Sequence, residues 1–118
     1  MAAPNIVNVA TITGKTAVQA VTTSATAIVT NSSGSNKVFK INALYVSNVD
    51  GTAAADVNVD INSPSAGTFH IAKTVSVPAD ATLDVLSKSI YLEEGWSLRL
   101  TASANSDLEA VCSYEEIS

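Results

Sequence analysis

The chain has 118 residues, of which 47% are hydrophobic and only 14% charged, with a formal net charge of −5. That length makes one domain whose core needs no metal or disulfide staple. A charge content below the roughly 25% of typical soluble domains suits a surface that is partly covered by another subunit. The six basic residues, Lys15, Lys37, Lys40, Lys73, Lys88 and Arg99, are scattered; nucleic acid, which needs clustered cations, and an anionic membrane surface are both disfavoured.

From the N-terminus, MAAPNIVNVA has neither a basic region nor a sustained apolar run, which predicts a product made in a cytoplasm and not exported by a visible signal. No stretch approaches 18 apolar residues in a row, so no membrane-spanning helix is predicted. Residues 1–36 are rich in Thr, Ala and Ser, with few large apolar groups. Within them residues 1–12 read either as an edge strand or as a docking arm. The period throughout the chain is two, not 3.6. In AAADVNVDIN, Ala55, Val57, Val59 and Ile61 share one face, and Asp56, Asn58 and Asp60 the other, the pattern of a half-buried strand. Phe69, Ile71, Val75 and Val77 form a row that Lys73 interrupts; Trp96, Leu98, Leu100 and Ala102 form another, and Leu108, Ala110, Cys112 and Tyr114 a third.

Turn signals separate these runs at short, even spacing, among them Asp50-Gly51, Pro78-Ala79-Asp80 and Glu93-Glu94-Gly95. The pattern predicts strands near 5–12, 16–22, 25–31, 37–48, 54–62, 68–76, 82–87, 89–92, 96–104 and 108–116. Eight to ten short antiparallel strands predict one all-β domain over 1–118, a jelly-roll-like β-sandwich. The long strand 37–48 is expected to span both sheets or to bend between them.

The sequence offers few groups for chemistry. Glu93 and Glu94 are adjacent, so on a strand they face opposite ways, and Gly95 after them supplies a tight turn; a polar turn outweighs a catalytic pair. Asp56, Asn58 and Asp60 stand roughly 7 Å apart at each step, too far for one cation to bridge unaided, and read as a solvated face. His70 is the only histidine and Cys112 the only cysteine, so no internal disulfide forms, and a zinc site would need ligands distant in sequence. Cys112 falls on an apolar face, where an inert buried thiol is the default. Asn31-Ser32-Ser33 matches a glycosylation acceptor by accident. No nucleophile elbow, P-loop or dinucleotide fingerprint is present. The reading is a non-enzyme with no cofactor and no metal. Its candidate partner contacts are Tyr91, Glu93, Glu94 and Trp96, because aromatics beside an exposed turn are natural interface anchors.

Three phrases, NKVFKINALYVSNVDGTAAADVNVDI, SVPADATLDVL and SIYLEEGWSLRLTASANSDLEAVCSYEEIS, resemble small virion structural proteins of tailed bacteriophages of marine bacteria and cyanobacteria. The resemblance covers roughly residues 36 to 118. In that family an aspartate commonly follows the turn glycine, where this chain has Trp96. The resemblance implies a virion component, assembled in the host cytoplasm: a β-sandwich decoration or cement protein that binds the major capsid protein across capsomer junctions, as a homotrimer. A tail, neck or fibre-associated role is the alternative. A glycan-binding module is a third reading, which requires Trp96, Tyr91 and Tyr45 to line one exposed groove.

Overall fold

The computed structural model describes residues 4–118. Nine strands occur among them: β1 (Ile12–Val21), β2 (Thr26–Thr30), β3 (Val38–Asn48), β4 (Ala55–Ser63), β5 (Gly67–Val77), β6 (Thr82–Asp84), β7 (Ile90–Leu92), β8 (Ser97–Ala102) and β9 (Leu108–Ile117). All pairings are antiparallel. One sheet runs β1-β9-β3-β6, with β7 also on β3; the other runs β2-β8-β4-β5. The hairpin-like pairs β1·β9, β2·β8, β3·β6/β7 and β4·β5 alternate between the two sheets, which is the wrapping of a jelly roll.

The period-two rows become the core. Val57, Val59, Leu98, Leu100, Leu44, Val46 and Cys112 are fully buried between the sheets. Phe39 and Tyr114 meet there, with ring centroids 5.6 Å apart. β-branched and aromatic side chains on alternating positions suit this pleated, one-sided burial.

The structure departs from the sequence reading in three places. No strand forms over 5–11, since β1 begins at Ile12. Instead Asn5 bends the chain: its carbonyl accepts the Asn8 N–H at 3.0 Å and its side-chain oxygen the Val7 N–H at 3.0 Å. Such a local side-chain bond competes with strand pairing. The part of the proposed arm over residues 1–3 lies outside the described residues. Second, β3 neither spans both sheets nor changes sheet; a register shift between Ile41 and Ala43 absorbs its length within one sheet. Third, the expected strand 82–87 shortens to β6.

β5 also carries a surprise. Its register against β4 shifts twice, between Val57 and Val59 and again between Val59 and Asp60. At the first shift Thr74 takes φ 52°, a left-handed conformation that a β-branched residue rarely adopts. The Asn58 side chain holds it there by accepting the Thr74 N–H at 2.6 Å. The Lys73 break in the apolar row marks this bulge.

Candidate functional site

The opening of β8 is held by one asparagine. In the turn Glu93–Trp96 the Glu93 carbonyl accepts the Trp96 N–H at 3.0 Å, and Gly95 at the third position has φ 83°, the signature of a type II turn. The backbone of Asn31, just past β2, clasps this turn: its carbonyl accepts the Gly95 N–H at 2.7 Å and its N–H reaches the Trp96 carbonyl at 2.9 Å. The Asn31 side chain is fully buried. Its amide donates to the carbonyls of Lys37 at 2.9 Å and Leu92 at 3.0 Å, and its oxygen accepts from the Ser35 hydroxyl. A glycan has no access to it, which removes the Asn31-Ser32-Ser33 match.

The two glutamates separate in function. The Glu94 carboxylate turns to the loop before β3 and accepts the Asn36 N–H at 3.2 Å. Glu93 stays exposed on the rim of a groove of about 480 Å³. This groove lies where the β5 edge of one sheet meets the β7 edge of the other, and Tyr91 and Trp96 line it with Phe69, Ile71, Leu86 and Ile90. Ile61 and its register partner Phe69 face inward from β4 and β5, yet Phe69 is 63% exposed. The two sheets part here and leave inward-facing apolar groups uncovered. Of the four predicted contact residues, the structure gathers Tyr91, Glu93 and Trp96, and leaves Glu94 to the loop. Sequence reasoning missed Phe69, Ile71, Leu86 and Ile90, because period-two patterning marks a residue as inward-facing without saying whether the opposite sheet reaches it.

The remaining candidates do not converge. Cys112 sits in β9 of one sheet and His70 in β5 of the other, where its imidazole lines the groove. Burial pushes the Cys112 thiol up to about 11, so it stays protonated and unreactive at neutral pH. Among the described residues no three His, Cys, Asp or Glu side chains gather into a metal-binding group. The face of Asp56, Asn58 and Asp60 is less solvated than its pattern predicts: Asp60 is buried and paired with Arg99 at 2.8 Å. Arg99 also donates to Thr68 at 3.2 Å, and Thr68 to Asn62 at 2.8 Å. Tyr45 lies apart from the groove, beside Val111 and Asp84 on the outer face of the first sheet. The sugar-stacking arrangement of Trp96, Tyr91 and Tyr45 is therefore not formed.

No family model and no curated protein matches the chain. Among solved structures it is similar to a chain of the Bacillus endospore appendages, which form a novel family of disulfide-linked pili. The match has a TM-score of 0.54 and 14% identity, and covers 92% of this chain and 88% of that one. At that identity the likeness concerns the fold alone. It agrees with the two-sheet architecture of the structure.

Proposed function

We propose that this chain is a non-enzymatic structural subunit of a bacteriophage virion, a decoration protein that binds the major capsid protein across junctions between capsid subunits. The observation that carries the reading is the groove of Phe69, Ile71, Tyr91 and Trp96 at an open corner of the sandwich. An apolar, aromatic-lined recess rimmed by one carboxylate and one imidazole suits a protein side chain from a neighbouring subunit. The family resemblance over residues 36 to 118 supports the virion setting. Decoration stabilises a shell by adding buried area across junctions, on the order of 1,200–2,000 Å² for a standard contact. The disulfide linkage of the pilus neighbour does not carry over, since Cys112 is the sole cysteine and is buried.

The test is the copy number of this chain in purified virions relative to the major capsid protein. Hundreds of copies in a simple ratio are expected. A few to a few dozen copies would move the chain to the tail, neck or fibres, and absence from the particle would overturn the virion reading.

A further inference from the structure

The sandwich has four sheet edges, and they are not equally protected. On the second sheet, β2 is five residues long with a register shift between Ala27 and Val29, and β5 is bulged twice with Thr74 in a left-handed conformation. On the first sheet, one edge is split into β6 and β7, of three residues each. Short strands and bulges are the usual guards against edge-to-edge pairing. The fourth edge is β1: ten residues, ITGKTAVQAV, in unbroken register with β9 from Ile12 to Val21. It holds no proline and no bulge, and Lys15 is its only charge. Its one guard is that lysine, and Lys15 is turned back onto Glu116 of β9 at 3.6 Å.

The register identifies the free groups. Thr11 and Ser118 exchange both backbone bonds, at 2.9 and 3.0 Å, so they form a narrow pair, and narrow and wide pairs alternate along an antiparallel ladder. Thr13, Lys15, Ala17, Gln19 and Val21 then bond to β9. Ile12, Gly14, Thr16, Val18 and Ala20 turn their N–H and C=O groups away from it. These five also point their side chains to the outer face, and all are exposed, uncharged and small or apolar; Val18 is 74% exposed.

We propose that β1 is a pairing edge whose occupant is β1 of a second copy, antiparallel across a twofold axis. The occupant follows from the edges themselves: a ten-residue regular strand needs a partner of equal length and regularity, and the other three edges of a second copy are short or bulged. With Thr16 on the axis, Gly14 faces Val18 and Ile12 faces Ala20 of the other copy, so all five free positions are used. The two lysines are diagonal neighbours and not directly opposite, since each Lys15 faces an Ala17, and each is engaged by Glu116 of its own copy at 3.6 Å. The exposed row Val18, Val111 and Tyr45 then continues toward the second copy beside its Gly14, where no side chain obstructs it. The contact joins two sheets into one through about ten backbone bonds, two for each narrow pair. It is isologous and closes on itself, which makes the free chain a dimer where the family resemblance implies a trimer. The inference goes beyond the virion reading and does not rest on it.

The experiment is the mass of the free chain by sedimentation across a concentration series, with amide hydrogen exchange on the same samples. A dimer is expected, with the Ile12, Gly14, Thr16, Val18 and Ala20 amides protected. Thr16→Pro removes only an outward N–H, which edge strands tolerate, and is expected to give a folded monomer of half the mass in which the other four amides exchange freely. Val18→Lys places an edge charge and is expected to do the same; it decides the matter if the proline variant fails to fold. A monomeric or trimeric parent would overturn the proposal, as would a dimer that survives in folded Thr16→Pro or Val18→Lys. Mass is read on the isolated chain, so it stands or falls apart from the copy number in virions.

Discussion

The two ends of the sandwich are built on the same device and finished differently. Each is pinned by a buried asparagine, Asn31 beyond β2 near the start of β3, and Asn48 at the end of β3. The Asn48 amide donates to the carbonyls of Ala53 and Val77 at 2.9 Å each, and its oxygen accepts the Asp50 N–H at 2.9 Å. Around it the inward residues that finish or begin five strands, Val21, Ala55, Val77, Ala102 and Leu108, are all buried. At the Asn31 end the same kind of clamp holds the turn into β8, but Phe69 stays exposed and Trp96 only half-buried beside it. One end is sealed by its own side chains, and the other keeps apolar surface open at a corner. Buried amides can therefore fix loops without closing a core, and the open corner is the surface that the proposed capsid contact would cover.

The largest expected effect tests the sealed end. Leu108→Ala deletes a fully buried side chain and is expected to destabilise by about 2–5 kcal/mol in urea unfolding. A loss below about 1 kcal/mol would mean that this end is not packed as described. Next come the two asparagines. Asn48→Ala and Asn31→Ala each strip two carbonyls of a buried donor, and each is expected to cost about 2–3 kcal/mol. Only Asn31→Ala should also shift the Trp96 fluorescence, because only it releases the turn that seats the indole. Equal spectral changes in both would erase the distinction between the ends.

Phe69→Ala belongs to the open corner. It is expected to cost under about 1 kcal/mol, since most of this ring is in water in the free chain. The same variant is expected to weaken attachment to capsids in a co-sedimentation assay. A loss as large as that of Leu108→Ala would show that the groove is closed in solution. The smallest change is expected from Glu93→Gln with Glu94→Gln, within about 0.5 kcal/mol by thermal unfolding. Glu93 is exposed, and a glutamine oxygen still accepts the Asn36 N–H.

Much of the fold is legible in single strands. Val57 and Val59, Leu98 and Leu100, and Ala110 and Cys112 are all inward in the structure as the alternation predicts. The failures have local causes that period-two patterning does not contain. Asn5 spends its side chain on its own backbone and bends the chain over 5–8, where a strand is expected. Thr74, held by Asn58, slips the register of β5 and puts Ala72 rather than Lys73 opposite Val59. The site was half legible: an aromatic beside a glycine turn pointed to Tyr91 and Trp96, while Phe69 read only as one of an alternating apolar row.

By itself, the sequence determined that the chain is all-β, where it turns and which side chains face inward. These are local properties, set by alternation every two residues and by the turn preferences of Gly, Pro, Asn and Asp. Only the tertiary structure decided which strands are edges, which end closes and which inward residues stay uncovered. Those outcomes depend on partners far apart in the chain: the Asn31 amide meets the Leu92 carbonyl 61 residues away. No pattern within one strand records whether the opposite sheet extends far enough to cover it.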